Sequence, residues 1–360
     1  AGAIAFFGKP LESEPEVVPE TVEVAKPSEE EQIREALVLD DLELEIGYGL
    51  IPMVDENRGG ELLSRIRATR RQLASDLGFI VPLIHIRDNL DLAAGGYTIR
   101  VRGDAVAQGE IPQDRALAIS PGEGAEEVPG IKTLDPAFGL PARWIEERDR
   151  DRAAAAGYAV VDASTALSTH LAEIVRSHSV ELLTRRRVQD LLDQFAEEAP
   201  KVVEEIVPGI VSLSQLHRTL RALLAERVSI RDLGSILETL AEYAQRIQDP
   251  DLLTDLVRER LSRTVTRAHM DDEGTLRVIH LDPAVEEQLR NSVQRTEGGS
   301  FLAADSQLLD RLVRGIEASV SQSAGEAKAP VLLTSQAVRS PLRGLLARVV
   351  PQLAVLSHNE

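Results

Sequence analysis

The sequence predicts a multi-domain protein of mixed α/β (α+β) class, and three observations carry that expectation. The chain has 360 residues, long for one core, so two to four compact units are expected. Short alternating stretches such as Leu42–Ile46 stand beside helical repeats towards both ends of the chain. Between them, residues 183–262 carry helical periodicity alone. The expected order is an N-terminal α/β part with a small α/β insertion, a helical module, and a C-terminal α/β part.

Residues 1–40 read as an acidic linker. They hold ten acidic residues against three basic ones, and Pro10, Pro15, Pro19 and Pro27 interrupt any helix. Such a segment buries too little apolar surface to offset its ordering entropy. A short helix over Glu29–Leu37 is expected at its end. The start, Ala1–Gly8, lacks a basic n-region and reads as the continuation of something longer.

Residues 41–113 read as α/β. Leu42–Ile46 alternates as a strand. Glu61–Leu77 is a helix with Leu62, Leu63, Ile66, Leu73 and Leu77 on one face, and Gly78 stands where a C-cap belongs. Its outer face carries Arg65, Arg67, Arg70 and Arg71. That face is either solvated and locally paired or a contact for acidic segments. Phe79–Arg87 is expected as the next strand. Tyr97–Arg102 and Ala105–Ile111 form a hairpin about Gly103-Asp104.

Residues 114–162 read as an insertion. Arg115–Ile119 is a short strand, Gly122–Gly130 a loop, Glu146–Ala156 a polar helix ended by Gly157, and Tyr158–Val161 a buried strand. A helix follows from Thr165 to about Leu182, capped by Asp162 or Ser164. The insertion holds the stretch from Leu134 to Ile145, with the only Trp of the chain, Trp144, and one of six Phe, Phe138. Pro136, Gly139 and Pro141 fix its backbone, so neither a plain helix nor a central strand is expected. Asp135 before Pro136 opens a turn. Two readings follow. Either Phe138 and Trp144 fill a buried corner, or the turn is a preformed apolar socket with an acid at its lip, suited to docking a protein.

Residues 183–262 hold four expected helices. They are Arg185–Ala199 after Thr184, Ser214–Glu226, one opened by the capping-box spacing of Ser229–Asp232, and one begun by Asp249-Pro250. Residues 263–360 return to α/β. Strands are expected at Leu276–Leu281, Val331–Thr334 and Leu353–Leu356, helices at Pro283–Ser292, Asp305–Ser323 and Ser340–Val350, and a loop at Glu297–Ser300.

Several function classes are disfavoured. The chain has no Cys, which excludes disulfides, thiolate metal sites and Cys nucleophiles and suits a reducing compartment. Its net charge of -19 argues against nucleic acid and against anionic membrane surfaces. No apolar run approaches the roughly 18 residues of a membrane span. Nucleotide-loop, zincin and nucleophile-elbow motifs are missing. The seven His are scattered, and His170 and His178 lack metal-site spacing, so they read as structural. No enzyme, metal or cofactor is expected.

The run Asp135–Leu140, followed by Trp144-Ile145 and by Thr165 with Thr169-His170-Leu171, resembles the cytoplasmic domain of the flagellar type III secretion export-gate family, FlhA. So do Gly47–Asp55, Gly59-Gly60, Arg70–Ala74, Ile86–Leu90, Arg227–Asp232, Ile236–Leu240, Pro330–Leu333 and Gln352–Ser357. The resemblance covers about residue 40 to the end. It implies that residues 163–182 return to the first domain, giving 41–113 plus 163–182, an inserted 114–162, a helical 183–262 and a C-terminal 263–360. It implies a docking platform for export chaperones with bound substrates and for other export-apparatus proteins. It also implies a self-assembled nonameric ring at the cytoplasmic face of the bacterial inner membrane, and a linker that contacts neighbours rather than a passive tether. Membrane attachment would come only through an N-terminal half. The chaperone site carries over to Asp135, Phe138 and Thr169, with apolar neighbours Ile119, Pro121, Leu140 and Val161. Ala166 stands where the family has a larger aliphatic, which puts chaperone preference in doubt. The equivalent gate of a virulence type III system is the alternative.

Overall fold

The computed structural model describes residues 39–122, 126–296, 299–322 and 328–360. The expected linker and the helix over Glu29–Leu37 lie outside the described residues, apart from Leu39 and Asp40. The protein is mixed α/β with several sheets, as the sequence predicts.

The first sheet has the strand order β2-β1-β3-β4. It comprises β1 (Leu42–Ile46), β2 (His85–Asp88), β3 (Gly96–Val101) and β4 (Asp104–Glu110). Leu42, Leu44 and Ile46 point into the core on alternate positions. Helix α1 (Leu62–Leu77) covers the sheet and ends at Gly78, whose φ of 89° is the left-handed cap expected of a glycine. Phe79–Arg87 is strand only from His85 on, because β1 offers partners only from Glu43 to Ile46. Phe79 and Val81 are still buried, and Ile80 points to solvent.

The second sheet, β6-β7-β5-β8, is antiparallel throughout. Its strands are β5 (Arg115–Ile119), β6 (Ile131–Leu134), β7 (Pro141–Glu146) and β8 (Ala159–Val161), with the short helix α2 (Arg150–Ala155) before β8. Two expectations change here. Pro141 opens a central strand, which is allowed because the first residue of a strand can do without an N–H. The last strand begins at Ala159 and lies at the sheet edge, only partly buried.

Helix α3 (Ala163–Ser177) packs on α1. Asp162, not Ser164, caps it, accepting the Thr165 N–H at 2.8 Å. The helix breaks at His178 and resumes for one turn over Ser179–Leu182.

The helical region has more elements than expected. They are α4 (Arg185–Glu198), α5 (Pro200–Ile206), α6 (Leu213–Ala225), α7 (Leu233–Tyr243), α8 (Pro250–Arg260) and α9 (Ser262–His269). Thr184 caps α4 and Asp249 caps α8 as read. Helix α6 begins one residue before the expected Ser214, and Ser212 closes a capping box with Gln215 ahead of it. Ser229 does not open α7. Asp232 is its cap, because Ile230 stays outside the helix and donates its N–H to the Leu77 carbonyl at 2.9 Å.

The C-terminal part holds a parallel sheet, β13-β12-β9, formed by β9 (Val278–His280), β12 (Val331–Thr334) and β13 (Val355–Ser357). Helices α10 (Pro283–Ser292), α11 (Ser306–Gln322) and α12 (Gln336–Leu346) surround it. An unexpected hairpin, β10 (Val293–Thr296) and β11 (Gly299–Leu302), takes Gly299 and Ser300 of the expected loop into a strand, while Glu297 and Gly298 lie outside the described residues. Helix α12 starts four residues before the expected Ser340 and carries Pro341 inside it.

Buried charges tie α6, α8, α12 and the last described residue together. Arg339 donates from Nε to Asp255 at 2.7 Å and from Nη1 to Glu226 at 2.7 Å. Arg258 donates from Nε and Nη2 to the Glu360 carboxylate at 2.7 and 3.0 Å.

Candidate functional site

The turn between β6 and β7 is built from its own backbone. Asp135 donates its N–H to the Leu140 carbonyl at 2.7 Å, and its carbonyl accepts the Gly139 N–H at 2.8 Å. The Asp135 carboxylate accepts the Phe138 N–H at 2.8 Å. This is a single helical turn with Asp as its cap and Pro136 just inside. Gly139, at φ 68°, supplies the left-handed residue that ends it.

Register decides what faces where. Ala142 and Trp144 of β7 are buried in the cluster that also holds Tyr97, Leu117, Ala166 and Leu167. Ile145 faces the other side of the sheet, with Ala116 and Tyr158. Phe138 is left at 59% exposure, next to Leu134 at 62% and Leu140 at 47%. The reading in which Phe138 joins Trp144 in a core is therefore overturned. Asp135 also departs from expectation. At 4% exposure it is a buried post under the turn rather than an acid at its lip.

Asp135, Phe138 and Leu140 share this turn. Ile119 and Val161, on the adjacent strands β5 and β8, are half-buried against the Trp144 cluster. Pro121 lies exposed beyond β5, where its ring approaches Gly157. Thr169 is half-buried on α3, just before His170. Ala166 is buried in the cluster.

Two residues outside the expected set lie beneath the site. The Tyr97 hydroxyl is hydrogen-bonded to His170 Nδ1 at 2.8 Å. Burial pushes the Tyr97 hydroxyl pKa up, and the Asp135 charge adds to that. Burial holds the His170 imidazole below its usual value, with Asp135 acting against it. His170 is thus neutral near pH 7. Alternation at Tyr97–Arg102 marks Tyr97 as inward, but nothing in the sequence pairs it with a residue 73 positions away.

The basic face of α1 is mostly engaged. Arg65 pairs with Glu61 and Asp162, Arg67 with Glu56, and Arg70 donates to the Val81 carbonyl. Burial tends to raise Asp162, but the Thr165 N–H and hydroxyl, with Arg65, hold its carboxyl below the usual range. Among the described residues no group of His, Asp and Glu could hold a metal ion. None of the described helices is long and apolar enough to cross a membrane.

Fold and site together define a multi-domain α/β scaffold that presents a braced, outward apolar turn. A family model described as the FHIPEP family matches residues 3–360, and the chain belongs to that family. The flagellar biosynthesis protein FlhA of Bacillus subtilis is 38% identical over 100% of this chain and 54% of its own length. FlhA of Escherichia coli is 44% identical over 89% of this chain and 46% of its own length. The chain thus spans about half the length of these relatives. Among solved structures, the Chlamydia pneumoniae CdsV protein is 27% identical with a TM-score of 0.77, covering 90% of this chain and 94% of its own. The nonameric EPEC SctV-C matches in fold, at 19% identity and a TM-score of 0.74, over 89% of this chain and 94% of its own.

Proposed function

We propose that this chain is the cytoplasmic part of a flagellar type III protein export gate, and that it docks export chaperones carrying their substrates. The observation that carries the reading is Phe138. A large aromatic held out to solvent on a turn braced by Asp135 is costly to leave uncovered and cheap to dock, since little ordering remains to be done on binding. Leu134 and Leu140 widen the apolar surface, and Ile119, Pro121, Val161 and Thr169 complete the site. Asp135 contributes mainly by holding the turn.

In this reading residues 114–162 carry the docking turn on a first domain of 41–113 plus 163–182, followed by a helical module, 183–262, and a C-terminal domain, 263–360. The chain assembles as a nonameric ring below a membrane pore, a reading supported by SctV-C and the EscV cytosolic domain, which are similar in fold and nonameric. It also meets other export components, a reading supported by the similar CdsV, which forms a complex with a second protein, CdsO. Membrane attachment comes from the part of the full-length protein that precedes this one. The chain works as a binding scaffold without a cofactor. The FlhA relatives, at 38–44% identity, favour the flagellar over the virulence version.

The test is calorimetry of the folded protein against a flagellar export chaperone with its bound cargo. Phe138→Ala is expected to weaken binding by about 2 kcal/mol or more, the usual cost of truncating an aromatic anchor. Its melting temperature should stay near that of the parent, because the ring is mostly exposed. Unchanged affinity would remove the site.

A further inference from the structure

An outward aromatic is useful to a partner only if its turn is held still, and the groups that can hold it lie underneath. Tyr97 stands on β3 and His170 on α3, so their hydrogen bond crosses from the first sheet to the helix that follows the second. The rings meet edge to face, with centroids 5.8 Å apart and planes at 75°. Both side chains are buried.

The pair has a built seat. Gly109 of β4 lies opposite Tyr97 in the strand register. A Cβ on Gly109 would stand 2.5 Å from the Tyr97 hydroxyl oxygen. The bare backbone at 109 therefore makes the room that lets the hydroxyl reach His170. An alanine there would have to displace the phenol ring or the strand.

The pair also sits against the turn. Tyr97 shares its apolar cluster with Ala142 and Trp144 of β7. Ala142 pairs with Thr133, two residues before Asp135. The Asp135 charge acts on both Tyr97 and His170. Asp135 is in turn the acceptor for the Phe138 N–H. The Tyr97–His170 hydrogen bond thus lies in the same buried cluster as the inward residues of β7, the strand that leads out of the turn.

We infer that Tyr97 and His170, seated on Gly109, form a buried strut that positions the Asp135–Leu140 turn and so presents Phe138 to its partner. The inference rests on the docking reading for its purpose and on the buried geometry for its existence. Tyr97 and His170 are positioning residues and act through the buried face of β7, which packs in the same cluster as Tyr97 and leads out of the turn. Losing the hydroxyl leaves a buried imidazole nitrogen unpaired and frees the layers on either side of it to shift.

The experiment compares Tyr97→Phe and Gly109→Ala with the parent and with Phe138→Ala. One readout is amide hydrogen exchange at Phe138 and Gly139. The other is affinity for an export chaperone with bound cargo. In both strut variants, exchange at these two amides is expected to rise roughly tenfold, and the Kd to rise by a similar factor, matching the loss of about one buried hydrogen bond. Amides of the C-terminal sheet should not change. Tyr97→Phe removes a single oxygen and keeps the ring, so it remains testable if Gly109→Ala folds poorly. Unchanged exchange at Phe138 and Gly139 in Tyr97→Phe would overturn the strut. Faster exchange there, with unchanged affinity in Phe138→Ala, would instead overturn the docking reading.

Discussion

Phe138 and Trp144 are similar in size and stand close in the chain, yet one faces water and the other is buried. Residue type could not separate them. Asp135-Pro136 and Gly139 made the turn legible, because each has a backbone reason to be there. The direction of Trp144 depends on the parity of β7, and parity needs the partner strands Ile131–Leu134 and Arg115–Ile119, whereas Phe138 lies in the turn before β7 and is turned out by it. The first of those strands is too short and too exposed to announce itself. Asp135 departs from expectation for a related reason. A carboxylate beside Pro looks like surface, but its oxygen is used inward on the Phe138 N–H. Asp135→Ala is therefore expected to destabilise the protein by about 1–2 kcal/mol through loss of that cap, and Asp135→Asn by less. Urea unfolding of the two variants checks this. Equal midpoints for Asp135→Ala and the parent would contradict it.

Elements were most legible where caps and periodicity agreed. Helix α1 with Gly78, helix α10 and β5 stand where the sequence placed them. Helix α12 did not. Pro341 looks like a first-turn residue, but the helix begins at Gln336 and takes the proline inside. That choice seats Arg339, at 1% exposure, beside Asp255 and Glu226. Residues 226, 255, 258, 339 and 360 come together only in three dimensions, so no spacing in the sequence reveals their cluster. A buried ion pair adds little over a well-packed apolar pair, but removing one partner leaves a bare charge. Arg339→Ala is expected to cost about 3–5 kcal/mol for that reason. The loss should appear in α8 and α12 first, read as faster amide exchange there. A loss under 1 kcal/mol would mean that water already reaches the cluster.

At the scale of the whole molecule, these buried groups give stability two opposing dependences on pH. Burial, opposed by Arg339, pushes the Asp255 carboxyl up to about 6. Its unfolded value is near 3.9. The folded state therefore holds this proton more tightly than the unfolded state. The stabilisation is full below about pH 4 and is lost as pH rises through about 6. His170 and His269 act in the other direction. Burial lowers both, and Arg258 and Lys328 lower His269 further. Their contribution is full above the unfolded value near 6.5 and is lost as pH falls through their lowered folded values. The two trends partly cancel where they overlap, below about pH 6. Asp255→Asn keeps an oxygen for Arg339 but removes the titrating carboxyl. With the falling trend gone, the variant should gain more stability than the parent on going from pH 5 to pH 7. Urea midpoints of both proteins at the two pH values decide it. A parent that gains as much as the variant would show that Asp255 stays ionised throughout, paired with Arg339.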